Sequence, residues 1–163
     1  MKLKANLRRL TSAGAAIAFG STLLVGVATS AQAGQTAQAV YYQVRNANST
    51  NSCLQVNITA GKGNLVLGNC DRSAKQVWTI VDRVWRNPVS NHCLDGNGAD
   101  VYTFACNGGS YQLYNTSSGS PKYILHELSG KYLHARGFIG EEVVYAPSIS
   151  TTSRWVIEQV GTG

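Results

Sequence analysis

Charge is scarce in this chain: Asp, Glu, Lys and Arg make up 13% of 163 residues, with three prolines, three histidines and one methionine. Low charge argues against a self-repelling disordered chain, whose signature is high net charge with few apolar residues. No two cysteines stand at the close spacing of a structural zinc site, so no metal or other cofactor is expected. Beyond residue 33 no segment carries a helical stripe, and no Gly-rich phosphate loop opens a helix. Lys and Arg do not cluster with aromatics, which leaves nothing for a nucleic-acid partner. The one long apolar run, residues 13–27, follows Lys2, Lys4, Arg8 and Arg9 and precedes Ala31-Gln32-Ala33. That order predicts a signal peptide over residues 1–33 with a small-x-small cleavage site. The run is rich in Ala and Gly and falls short of the ~18 apolar residues typical of a membrane span. The expectation is therefore a secreted protein with no stable membrane insertion after cleavage. Arg8-Arg9 leaves both general and twin-arginine export open.

Without the leader, ten basic residues face eight acidic ones, and the net charge falls from +6 to +2. The remaining length supports one domain with a modest core, read as a short linker at 34–40 and a domain at 41–160. All four cysteines, Cys53, Cys70, Cys93 and Cys106, lie in that domain. In an exported chain an even count implies two disulfides, for which three pairings are formally possible.

The domain repeats itself. Ser52-Cys53-Leu54-Gln55-Val56 recurs as His92-Cys93-Leu94-Asp95-Gly96 and again, without the cysteine, as Lys131-Tyr132-Leu133-His134-Ala135. Cys70, Cys106 and Pro147 are each followed six residues later by Gln76-Val77-Trp78, Gln112-Leu113-Tyr114 and Ser153-Arg154-Trp155. Upstream, Val44-Arg45-Asn46, Trp85-Arg86-Asn87 and Ile124-Leu125-His126 occupy matching places. Three repeats follow, at about 41–80, 81–121 and 122–160. A fixed period near 40 residues marks units that must share one core. Short β-rich stretches bounded by Gly, Asn, Ser or Pro, such as Tyr42-Gln43-Val44, Leu65-Val66-Leu67, residues 101–104 and Val143-Val144-Tyr145, predict about four strands per repeat in an all-β closed barrel. Symmetry then selects Cys53–Cys70 and Cys93–Cys106, because repeat three loses both partners together. Each bridge is worth on the order of 3 kcal/mol in the chain-entropy model.

Cys-Leu-Asp, a second cysteine after a Val-x-x-aromatic strand, and Gln-x-aromatic six to eight residues on resemble the ricin-type β-trefoil lectin family. The resemblance covers about residues 41–160 and includes Asn107-Gly108-Gly109-Ser110 between Cys106 and Gln112. It implies a β-trefoil, a three-fold barrel capped by hairpins, and a role in binding sugars, of galactose type by preference. Trp78, Tyr114 and Trp155 fit core positions, because a ring at the same place in every repeat suits a shared interior. The family's sugar-contacting places fall in repeat two on Asp95 for a hydroxyl pair, Phe104 for the ring face, Gln112 for orientation and Tyr102 where a polar side chain is usual. Tyr111 departs from the family's Asn. The plain alternative is that Asp95 caps the turn at Gly96-Asn97-Gly98 and Phe104 covers the disulfide. Repeat one, with Gln55, Val66 and Gly68 at these places, reads as blind. Repeat three offers Tyr145 as a ring, with His134 for the acid and Ser153 for the glutamine.

An enzyme is not expected. His92, His126 and His134 have no nucleophile or metal-ligand spacing beside them, and Glu141 and Glu142, adjacent on a strand, face opposite ways. Asn48, Asn57 and Asn115 head glycosylation sequons but read as loop composition. The competing function is a secreted protein-binding or protease-inhibitor module with degenerate sugar sites, since a fold does not name its ligand. A single shallow site binds weakly, so avidity would come from several sites or chains.

Overall fold

A computed structural model describes residues 38–163 apart from residue 60; the expected leader lies outside the described residues. Among those residues the chain forms twelve strands and two single turns of 3₁₀ helix. Repeat one holds β1 (Val40–Asn46), β2 (Ser52–Thr59), β3 (Lys62–Asn69) and β4 (Val77–Val81). Repeat two holds β5 (Val84–Asn87), β6 (His92–Gly96), β7 (Val101–Ala105) and β8 (Tyr114–Thr116). Repeat three holds β9 (Ile124–His126), β10 (Lys131–His134), β11 (Val144–Ala146) and β12 (Trp155–Thr162).

The outer strands of each repeat close a six-membered ring. β1 pairs with β4, β4 with β5, β8 with β9 and β12 with β1. The bridges Val84↔Leu113 and Lys122↔Trp155 complete the circuit. The inner strands form three hairpins, β2–β3, β6–β7 and β10–β11, stacked on one end of the ring. Closure removes the free edges that would invite edge-to-edge pairing.

The core is assembled from equivalent positions. Val44, Trp85 and Ile124 are fully buried, as are Leu54, Leu94 and Leu133. Trp78, Tyr114 and Trp155 are buried at 0, 1 and 0% exposure, so the expected core rings are core rings. The Trp78 and Trp155 indoles donate to the carbonyls of Leu54 (3.3 Å) and Leu133 (3.1 Å), the same place in two repeats. Burying rings of this size removes the largest apolar areas the chain has to offer.

Neighbouring repeats are tied by one recurring bond. Ala47 N–H donates to Arg154 O (2.9 Å) and Glu127 N–H to Leu113 O (3.0 Å). The equivalent residue in repeat two is Pro88, which has no N–H. There the Asn87 side chain substitutes, donating to Val77 O (2.9 Å) and Ala74 O (2.7 Å).

Both disulfides join the expected partners, Cys53–Cys70 and Cys93–Cys106, each with Cα atoms 5.0 Å apart. In repeat three Tyr132 occupies the first cysteine's place and meets Tyr123 edge-on at 6.1 Å. One expectation for that repeat is corrected by the register. Tyr145 pairs with Leu133, as Thr103 pairs with Leu94 and Leu67 with Leu54, so Tyr145 sits on the inward face and Ala146 stands where Phe104 does. The cause is a shortened connection: eight residues separate Phe104 from Gln112 and Gly68 from Gln76, but seven separate Ala146 from Ser153. A slip of one residue turns every side chain to the other face.

Candidate functional site

Asp95, next to last in β6, stands opposite Tyr102 on β7, and only 4% of its surface is exposed. A buried carboxylate needs donors. Its Oδ1 accepts the Gly96 N–H at 2.7 Å and its Oδ2 accepts Gln112 Nε2 at 2.7 Å. Gln112 is fully buried in the 3₁₀ turn Ser110–Gln112. Its Nε2 also donates to Ala105 O (2.9 Å), and its Oε1 accepts the N–H groups of Asn107 (2.9 Å) and Gly108 (3.3 Å). Gln112 is therefore a clamp joining the end of β7, the turn after Cys106 and the Asp95 carboxylate. The Gly96-Asn97-Gly98 turn has a cap of its own: Asn97 Oδ1 accepts Ala99 N–H (2.9 Å) and Asp100 N–H (2.7 Å).

Rings surround this buried pair. Tyr102 is half-buried, with Lys62 Nζ 3.9 Å above its ring centre. Burial, then the neighbouring Asp95 carboxylate and its hydrogen bond, hold the Tyr102 phenol above its ordinary pKa, and Tyr111 adds to the effect. Phe104 is 45% exposed opposite Cys93, and Tyr111 is 50% exposed. Thus Asp95, Tyr102 and Gln112 come together, and Phe104 stands two residues along the same outward face. Alternation holds from Val101 to Phe104, whereas Ala105, expected on the inward face, is exposed at the strand end.

Beneath the site lies a polar layer that the sequence did not announce. Tyr114 Oη and Tyr145 Oη are 2.5 Å apart, and the His126 ring stacks on Tyr145 at 5.2 Å. His126 Nδ1 meets Ser129 Oγ (2.8 Å) and Nε2 meets Tyr111 O (3.2 Å). Burial keeps both phenols well above their ordinary pKa and holds the His126 imidazole below its ordinary value. A Cβ on Gly96 would come within 2.1 Å of Tyr145 Oη, which is why glycine stands where the other repeats carry Val56 and Ala135. The available signal was the match of His126 to Asn46 and Asn87, both buried polar residues.

The other repeats differ. In repeat one Gln76 makes the same clamp, from Nε2 to Gln55 Oε1 (3.1 Å) and from Asp71 N–H to Oε1 (3.1 Å). The Gln55 amide lies over Gly68, where a Cβ would meet its Oε1 at 2.2 Å, so the space taken by Phe104 in repeat two is filled. In repeat three Ser153 holds only Ser150 Oγ at 3.2 Å, and His134 Nδ1 meets Thr152 Oγ1 at 3.0 Å. Among the described residues no cluster of His, Cys, Asp and Glu is arranged to hold a metal.

A family model described as the ricin-type beta-trefoil lectin domain matches residues 40–155. No curated protein sequence matches the chain. Among solved structures, the designed three-fold symmetric protein ThreeFoil superposes with a TM-score of 0.64 at 21% identity, covering 72% of this chain and 96% of that one. The C-half of an earthworm R-type lectin in complex with GalNAc gives 0.64 at 10% identity, covering 74% and 99%. The Polyporus squamosus lectin, bound to Neu5Aca2-6Galb1-4GlcNAc, gives 0.63 at 17%, covering 74% of this chain and 49% of that one. These likenesses establish the shared β-trefoil fold.

Proposed function

The chain belongs to the ricin-type β-trefoil lectin domain family, and from that premise we propose that it is a secreted, non-catalytic carbohydrate-binding module whose site for galactose-type sugars lies in repeat two. The observation that carries the proposal is the Asp95 carboxylate, oriented by Gln112 and Gly96 and flanked by exposed aromatic rings. A carboxylate offers about four acceptor positions, so each oxygen keeps capacity for a sugar hydroxyl after taking one protein donor. In this reading a sugar hydroxyl takes the place beside Asp95 that the Tyr102 phenol now holds, and Phe104 receives the C–H face of the pyranose. Gln112 fixes the acid and does not itself meet the sugar, because all its polar atoms are committed inside. The GalNAc on the earthworm lectin and the galactose unit in the Polyporus lectin's saccharide support the galactose-type assignment.

Two disulfides, and the lack of any long apolar helix among the described residues, are compatible with an extracellular setting. The test is passage of the mature protein over immobilised galactose and a glycan array, with Asp95→Ala as control. Retention abolished by that substitution is the expected result. Absence of any glycan signal, together with inhibition of a protease, would reject the reading in favour of a protein-binding module.

A further inference from the structure

The hairpin of repeat one is longer than its counterpart in repeat two. β2 and β3 hold eight residues each against five each in β6 and β7, and the pairs Asn57↔Asn64, Ile58↔Gly63 and Thr59↔Lys62 extend it. That extension reaches repeat two, where Gly63 forms a bridge to Thr103 of β7. A Cβ on Gly63 would stand 2.1 Å from Thr103 Oγ1 and 2.6 Å from Val56 Cγ2, so glycine is what lets the two strands lie this close. Lys62, the residue before it, is thereby set beside Tyr102, its ammonium 3.9 Å above the ring centre. Asp100 and Glu142 line the same small cavity, yet among the described residues Lys62 forms no ion pair, and the ring is the ammonium's partner.

Tyr102 is what closes the acid in. It pairs with Asp95 across β6 and β7, its phenol donates to the Asp95 carboxylate, and Asp95 is left 4% exposed. A sugar hydroxyl meets that carboxylate only after the phenol has left it. Room for the move lies beside the ring, in a cavity of about 190 Å³ that Tyr102 lines together with Lys62, Asn64, Asp100, Glu142 and Val144. The other repeats have no such cover: Val66 stands opposite Gln55, and Val144 opposite His134.

We infer that Tyr102 is a movable cover over the Asp95 carboxylate, and that Lys62 of repeat one is a positioning residue that holds it shut. The inference rests on the reading of repeat two as a sugar site. Gln112 and Gly96 keep their bonds to the carboxylate in either position of the ring, so opening gives up the phenol's bond and the cation–π contact but not the clamp. Affinity at the site is then the intrinsic affinity scaled by the open fraction, and repeat one sets that fraction. A cation–π contact at an exposed place shifts such an equilibrium about two- to fivefold. The cover also selects. A ligand gains from opening only if it returns a hydroxyl to the carboxylate, so an apolar ligand stacked on Phe104 alone leaves the cover shut.

Two NMR readouts on the mature protein test this, one without sugar and one with it. The carbon-13 shift of the Asp95 carboxyl averages the covered and open forms, and Tyr102→Phe, which has no phenol to donate, marks the uncovered end. Lys62→Met is expected to move the shift toward that end, whereas Lys62→Arg, which keeps a cation over the ring, holds it at the wild-type value. Titration with methyl β-galactopyranoside, followed at the amides of Gly96 and Thr103, is expected to give a Kd about two- to fivefold lower in Lys62→Met, unchanged in Lys62→Arg, and lowered at least as far in Tyr102→Phe. A carboxyl shift indifferent to Lys62→Met would overturn the inference. So would weaker sugar binding in Lys62→Met or Tyr102→Phe, which would make those side chains direct contacts. A Lys62-dependent shift with no sugar response in any variant would uphold the cover and remove the sugar reading of repeat two. Lys62 is exposed, and the spectrum of each variant reports its own fold.

Discussion

Replacing Gln112 with alanine is expected to destabilise the domain by about 3 kcal/mol. The side chain is fully buried and makes four hydrogen bonds, one of them to the Asp95 carboxylate at 2.7 Å. Neutral bonds contribute about 1 kcal/mol each and a bond to a charged group about 2, which gives a gross loss near 5. Water reaching the exposed 107–108 turn recovers part of it, since those two N–H groups lie close to the surface. With a typical urea dependence of about 2 kcal/mol per molar, the unfolding midpoint falls by about 1.5 M. Gln76→Ala is expected to cost a similar amount, because Gln76 makes the matching bonds in repeat one, where no sugar site is proposed. Ser153→Ala, which loses one bond of 3.2 Å, is expected to cost less than about 1 kcal/mol. Urea titrations of the three variants followed by tryptophan fluorescence decide the matter. A midpoint for Gln112→Ala within error of wild type would refute the clamp.

Gly96→Ala places a methyl group 2.1 Å from Tyr145 Oη and 2.9 Å from Asp100 O, and is expected to cost about 1–3 kcal/mol. Adding Tyr145→Leu removes that clash, so a double-mutant cycle should depart from additivity by about 1 kcal/mol or more. His126, whose imidazole is held below its ordinary pKa by burial, favours the unprotonated form in the folded state. Its contribution is therefore complete above the unfolded value of about 6.5 and is lost as pH falls through the lower folded value. Urea midpoints measured from pH 7.5 to 5 should decline, and His126→Asn, the residue found at this place in the other repeats, should flatten that decline. Cys93→Ala with Cys106→Ala opens a loop of 13 residues and is expected to lower stability by about 3 kcal/mol, read as a lower melting temperature in calorimetry.

The barrel, the three repeats and the two bridges were legible because each rests on a pattern stated more than once. Cys53 and Cys93 sit at the same place relative to Leu54 and Leu94, and Trp78, Tyr114 and Trp155 recur at the same distance from the clamp residue. Strand bounds were read less closely: each quoted stretch lies on a strand, but β1 runs Val40–Asn46 and β3 Lys62–Asn69, well beyond Tyr42–Val44 and Leu65–Leu67, and β11 begins at Val144, one residue later than the apolar run suggests. What the sequence hid was register. Counting back from Pro147 put Tyr145 on the outer face, because a one-residue deletion leaves composition and periodicity untouched while reversing direction. Partnership was equally invisible: Gly96 reads as a turn residue, yet its reason lies 49 positions away at Tyr145, and no local rule links the two. Gln112 looked like a ligand-orienting residue, since its type and place match that role; only its four committed bonds show that it braces the acid from behind.

The pairing of β1 with β12 runs from Val40↔Thr162 to Asn46↔Trp155, laying the two ends of the domain side by side on the ring. In a closed ring built this way no repeat is intrinsically first. Joining the ends by a short flexible peptide and opening the chain at the exposed 118–120 turn should give a circular permutant with the same strands and both bridges. The same adjacency lets the module be inserted into a loop of a host protein with both connections leaving from one edge, so that the hairpin end is carried outward, away from the point of attachment.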